Sequence, residues 1–236
     1  MSKSVESLLA RTFPEGATIL YRSGLQKRIP DEYPINEIWE RREYTPVGFD
    51  VEEDDVVIDI GAHIGAFTIY AARKARSGSV YSYEPSSDNF LILQRNVAIN
   101  NLTNVCLFQM AVANNVSRKQ LIIDETNDAG ASFFKTGGTK ELVDCTTLEG
   151  IFKSNLIEEC GFLKIDCEGS EYEILFSTPM DIFRKINRIA LEYHVRDKIP
   201  NCNPNALINF LRKRGYVIVK HTPKDGLGIL CFKREL

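Results

Sequence analysis

The 236-residue sequence predicts an α/β fold: a doubly wound, mostly parallel sheet of about seven strands with a C-terminal antiparallel hairpin. Three observations carry this. From residue 56 onward, short β-branched runs alternate with segments of helical apolar spacing. A glycine turn, VIDIGAHIGAF at 57–67, joins the first run to the first helical segment, as in a βα unit. Near the C-terminus, PKDG at 223–226 separates two apolar runs in the manner of a hairpin.

Taken in order, Val56 to Ile60 is a buried strand and Ile64 to Lys74 a helix with Ala and Ile on one face. Ser79 to Glu84 is the next strand, Asn89 to Asn100 a helix carrying Leu91, Ile92, Val97 and Ala98, and Val105 to Met110 a third strand. Short strands are expected at Gln120 to Ile123 and Leu142 to Cys145, with a glycine-rich link at 130–138 between them. Thr147 to Asn155 reads as helix, Gly161 to Asp166 and Arg188 to His194 as strands, and Asn205 to Arg214 as helix. Tyr216 to His221 and Gly228 to Lys233 flank the closing turn. Residues 1–50 read as an extension or cap, with a strand at Ala17 to Tyr21 and an aromatic-bearing segment, NEIWERREYTP, at 36–46; the remainder, 51–236, reads as one domain.

Composition excludes several classes. With 44% hydrophobic and 26% charged residues the chain is of the globular type, and no apolar run reaches the length of a membrane span. MSKSVESLLARTF lacks the apolar centre of a secretory signal, so a cytoplasmic location is expected. Six cysteines without a C-x-x-C pair read as reduced thiols. A net charge of −3 speaks against a broad nucleic-acid surface, and the basic run at 212–224 reads as a solvated helix end. Oligomeric state carries no motif.

In an open α/β sheet, ligands bind beyond the carboxyl ends of the strands, which directs attention to Asp59–Gly65. The pattern is G-x-x-x-G, not the G-x-G-x-x-G of a pyrophosphate site, and Asp59 just ahead of Gly61 disfavours phosphates and favours an ammonium. Glu84 closes the second strand, where an acid accepts both hydroxyls of a ribose. Ribose, cation and no phosphate together point to S-adenosylmethionine. The plainer alternative is that Gly61 and Gly65 serve helix packing. His63 has two readings, toward the methionine part of such a ligand or as a helix cap.

VVIDIGAHIGAFTIYAA, YSYEPSSDNFLILQRNVAINN, FLKIDCEGSEYEIL and IALEYH resemble the FkbM-type methyltransferases, over about residues 45–195, with KIDCEGSE the most specific piece. The resemblance implies the class I methyltransferase fold, S-adenosylmethionine as cofactor and hydroxyl acceptors on sugars and secondary metabolites. It also implies cofactor contacts from Asp59, Gly61, Gly65, Glu84 and Asn89, with Ala111 and Val112 beside the adenine; His63 in the same turn and Pro85 after Glu84 are further candidate cofactor residues. The family usually has Asn where this chain has His63.

Methyl transfer to an alcohol needs alignment of the acceptor and a base or metal ion for its proton. Asp166 and Glu168 follow one strand, and Glu192 and His194 share a face at the end of another, so the four form a candidate base cluster or a divalent-metal site, the metal having no further support. Glu171 reads as a helix-start acid, Lys164 as an ion-pair partner or catalytic group, and His194 as base or core histidine. Trp39 and Tyr44 either close over the ligand or pack in the core. The expected partner is a small-molecule hydroxyl acceptor. The rivals are an RNA (tRNA) methyltransferase on the same fold, an NAD-dependent oxidoreductase, which the missing third glycine disfavours, and a binding module without catalysis.

Overall fold

The computed structural model describes residues 8–22, 30–123, 132–134, 137–196 and 199–235. Its elements, in chain order, are β1 (Leu8–Thr12), β2 (Thr18–Arg22), α1 (Glu32–Trp39), β3 (Val56–Ile60), α2 (Ala66–Lys74), β4 (Ser79–Tyr83), α3 (Ser87–Ile99), β5 (Val105–Phe108), β6 (Ala111–Val112), β7 (Ser117–Ile123), β8 (Thr139–Thr146), α4 (Leu148–Ser154), β9 (Cys160–Ile165), α5 (Glu171–Ser177), α6 (Met180–Phe183), β10 (Ile186–His194), α7 (Pro204–Arg212), β11 (Tyr216–Lys224) and β12 (Leu227–Arg234).

Seven strands form the central sheet in the order β11-β12-β10-β9-β3-β4-β5. Pairings β10–β9, β9–β3, β3–β4 and β4–β5 are parallel, and β12 runs antiparallel to both neighbours. The chain builds outward from β3 to β5 and then returns to β9 on the other side of β3. The order therefore reverses beside β3, and the crevice at the carboxyl ends of β3 and β9 is the switch point where such sheets bind ligands.

The two expected strands around 120 and 143 do not join this sheet. With β6 they make a separate three-stranded sheet, β6-β8-β7, in which β7 and β8 form a long antiparallel pair. Their alternation signals strand but not which sheet receives it. Part of the glycine-rich link at 130–138, and most of the 124–140 region, lies outside the described residues.

Helix starts follow local chemistry. The Ser86 side chain accepts from the Asn89 amide to open α3, Thr147 Oγ1 accepts from Gly150 at 2.9 Å to open α4, and Asn203 Oδ1 accepts from Ala206 at 3.1 Å, with Pro204 next, to open α7. The central strand β9 is buried at every position, as a parallel strand covered on both faces must be. Leu163 and Ile165 point to the layer of α4, α5 and α7, whereas Phe162 packs with Phe49, Phe67 and Ile69. The N-terminal segment contributes Phe13, Ile19, Ile35, Ile38 and Tyr44 to this second layer, continuous with α2 and β3. Trp39 stacks on Phe13 with ring centroids 4.3 Å apart and donates to the Ala66 carbonyl, so of its two readings core packing holds. The six cysteines are free thiols, and among the described residues no helix is long and apolar enough to cross a membrane.

Candidate active site

A cavity of about 260 Å³ opens at the switch point. Of the sequence-predicted ligand residues, Gly61, His63, Glu84, Pro85, Asn89, Ala111 and Val112 line it, as do all four candidate catalytic residues, Asp166, Glu168, Glu192 and His194. Two do not. Gly65 caps α2 with φ of 93°, its α-carbon packed on Leu93, where a Cβ would lie 2.5 Å from a methyl. Asp59 is fully buried behind the wall, accepting from Thr68 Oγ1 at 2.7 Å and paired with Lys164 Nζ at 3.2 Å. The expectation that Asp59 attracts a ligand ammonium directly thus gives way to an internal ion pair. In-register pairing of β3 with β9 sets Asp59 opposite Lys164.

The glycine turn fits tightly on the neighbouring strand. Gly61 has φ of 76°, and a Cβ there would sit 1.7 Å from the Asp166 carbonyl oxygen, so only glycine lets the loop pass. His63 is also left-handed, with φ of 53°, and its amide donates to Glu84 Oε2 at 2.8 Å. The other Glu84 oxygen accepts from the Ser86 amide at 2.9 Å. The carboxylate is thereby fixed at the end of β4, and burial raises its pKa to about 7 against those hydrogen bonds.

His63 is reached from the N-terminal segment. Arg22 makes a buried two-pronged pair with Asp31 at 3.0 Å, and its Nη2 also lies 2.8 Å from Asn89 Oδ1 and 3.2 Å from His63 Nε2. Burial, with Arg22 working against Asp31, lowers the His63 pKa to about 4, so the ring is neutral at physiological pH. A ring that stays neutral adds no pH dependence at this position. Nothing near Arg22 in the sequence announces this contact.

The opposite wall carries the charged cluster. Asp166 keeps 28% side-chain exposure to the cavity, accepts from the buried Tyr44 hydroxyl at 3.0 Å and lies 3.8 Å from Lys164 Nζ. Burial opposes its ionisation, but Lys164, His194 and the Tyr44 hydrogen bond outweigh it and hold the carboxyl below the usual range. Glu192 moves the other way: burial and the neighbouring Asp166 raise it to about 9, so it carries the proton of the pair. Burial disfavours charge on His194, yet Glu171, Glu168 and Glu192 around it raise its pKa to about 10. His194 at neutral pH is an imidazolium, which excludes it as the resting base. Lys164, likewise, is held above its ordinary value by Asp59 and Asp166 despite its burial.

Among the lining residues that sequence reasoning did not name as ligands are Tyr33 and Glu37 on α1, and Lys224 at the end of β11, which bonds Glu37 at 2.8 Å and Glu43 at 2.9 Å across the mouth. The hairpin turn placed Lys224 near a strand end, but only the sheet order brings it over the cavity. As for a metal, among the described residues only Glu52, Asp54 and Asp55 bring three ligand atoms within 4.8 Å, away from the cavity, and Arg188 already pairs with Asp55 at 2.6 Å.

The residues present suit S-adenosylmethionine: a fixed acidic acceptor at a strand end for ribose hydroxyls, the apolar Ala111 and Val112 for a base, and a glycine turn that admits close backbone approach. Fold and cavity together define a class I S-adenosylmethionine-dependent methyltransferase. A family model, the methyltransferase FkbM domain, matches residues 59–218, and the chain belongs to the FkbM methyltransferase family. It is 26% identical to the 31-O-demethyl-FK506 methyltransferase FkbM of Streptomyces tacrolimicus, over 93% of this chain and 92% of that protein. Among solved structures it is similar to the FkbM methyltransferase of Methylobacillus flagellatus (TM-score 0.52, 17% identity, 79% of this chain and 45% of that one). It also shares its fold with the Methanococcus jannaschii fibrillarin pre-rRNA processing protein (TM-score 0.56, 13% identity, 99% of this chain and 85% of that one).

Proposed function

We propose that this methyltransferase transfers its methyl group to a hydroxyl of a small polar metabolite, with Asp166 as the base. The observation that carries the reading is the Asp166 carboxylate itself: held ionised by Lys164, fixed by Tyr44, and open to the cavity. When bound, S-adenosylmethionine supplies an electrophilic methyl group on a sulfonium. The protein supplies the rest. Glu84 anchors the ribose, Gly61 lets the backbone approach, and Ala111 and Val112 give the base an apolar wall. Asp166 takes the proton of the acceptor hydroxyl, and His194 and Glu192 offer donors that orient neighbouring oxygens of the acceptor.

The acceptor side favours a small neutral molecule over RNA. With Glu192 protonated, the acids Glu37, Glu84, Asp166 and Glu168 line the cavity against the cations Lys224 and His194, a balance that repels a phosphate backbone. The FkbM of Streptomyces tacrolimicus is described as acting on an O-demethyl compound, and that description supports an oxygen acceptor here. The test is calorimetry with S-adenosylhomocysteine followed by methyl transfer to a panel of polyols, amines and tRNA. Binding that Glu84→Ala weakens strongly, with transfer to polyols, supports the reading; transfer to tRNA or amines alone overturns it.

A further inference from the structure

Glu171 is fully buried at the first position of α5, and a single oxygen of it collects three donors. Its Oε1 accepts the amides of Cys167 and Gly169, both at 3.1 Å, and lies 3.2 Å from His194 Nδ1. The two amides belong to the turn that carries Glu168, a non-glycine residue with φ of 53°, beside Gly169 at 105°. One carboxylate thus braces the strained turn between Asp166 and α5 and grips the histidine of the next strand. Occupying Nδ1 in this way turns Nε2 toward the cavity, 3.6 Å from Glu192 Oε2 and 4.0 Å from Glu168 Oε2.

We propose that Glu171 is the positioning residue of this site: it holds His194 as a charged donor facing the acceptor, between Glu168 and Glu192. The inference rests on the transfer reading above. The groups facing the ring are Glu171 on α5, Glu168 in the turn, Glu192 on β10 and Asp166 after β9. On the adjoining β12 the residue opposite His194 is the apolar Leu227, and Lys224 and Glu37 stand across the same cavity. Glu171 is hydrogen-bonded to the ring and closed off from solvent. Removing its charge strips the ring of its nearest, least screened counter-ion. The donor then deprotonates at lower pH, and of the two cations that hold Asp166 ionised only Lys164 remains.

The experiment compares Glu171→Gln, which keeps the shape and an acceptor oxygen, with the parent and with His194→Gln. Nitrogen-15 NMR follows the three histidine rings through pH, His194→Gln assigning the resonance, and methyl transfer is measured at saturating cofactor across the same range. The expected result is a His194 midpoint at least about one unit lower in Glu171→Gln. Its transfer rate should return to within about twofold of the parent below that midpoint and fall progressively behind above it. His194→Gln should be slower at every pH, with no such recovery. A midpoint within about 0.3 units of the parent's, or a rate ratio independent of pH, overturns the proposal. Failure of the transfer reading shows separately, as absence of S-adenosylhomocysteine binding by the parent, and in that case the NMR midpoint still judges Glu171.

Discussion

Lys164 offers the sharpest test of the electrostatic frame. Its ammonium lies 3.2 Å from Asp59 and 3.8 Å from Asp166 and donates to the Gly61 carbonyl at 2.7 Å, with only 3% of the side chain exposed. Lys164→Met keeps much of the volume but leaves Asp59, fully buried, with Thr68 as its remaining hydrogen-bond donor. An unpaired buried charge of this kind costs roughly 3–5 kcal/mol. For a chain of this size that corresponds to a fall in Tm of roughly 6–20 °C. Urea and thermal unfolding at pH 7.5 measure it. The double variant Asp59→Asn with Lys164→Met removes the orphaned charge along with its partner and should recover more than about half of the loss. A single-variant loss below about 1 kcal/mol, or a double variant no better than the single, would refute the assignment of Asp59 to an internal pair.

Glu84, with a pKa near 7, must be ionised to accept both hydroxyls of a ribose, so S-adenosylhomocysteine should bind about tenfold more weakly at pH 6 than at pH 8; a flat profile measured by calorimetry removes the carboxylate from ribose recognition. Asp166→Asn should lower turnover by roughly 10²–10⁴ with S-adenosylhomocysteine affinity nearly unchanged, read from steady-state rates beside calorimetry; near-normal turnover would take the base role away. His63 is neutral throughout the accessible range, so the ratio of cofactor affinities of His63→Asn and parent should be constant from pH 5.5 to 8; a ratio that moves with pH would mean that the ring titrates there.

The parts of this site that the sequence revealed are those written into local patterns. Two glycines flanked by a β-branched run and a helical run locate the loop, and an acid at the end of the next strand locates Glu84. Period-2 alternation brought Glu192 and His194 onto one face. Alternation within a strand, however, carries no information about the residue on the next strand. Whether Asp59 faced a ligand or Lys164 depended on the β3–β9 register, which distant packing sets. The same holds for Arg22, whose contacts with Asn89, His63 and Asp31 come from α3, the glycine turn and the start of α1. Charge states were equally hidden. His194 read as base or core histidine, and only Glu171 and Glu168, brought to the ring by α5 and the turn before it, make it a standing cation.

The contact between Gly61 and the backbone of Asp166 has a consequence for how such an enzyme diversifies. With a Cβ placed 1.7 Å from that carbonyl, the glycine turn and the end of β9 are mated main chain to main chain. The spacing between the Gly61 turn and the Asp166 carboxylate is therefore set by the sheet itself. Tyr33, Glu37 and Lys224, which rim the mouth from α1 and β11, stand outside that constraint. Mutation can explore new acceptors there without disturbing the alignment that makes transfer fast.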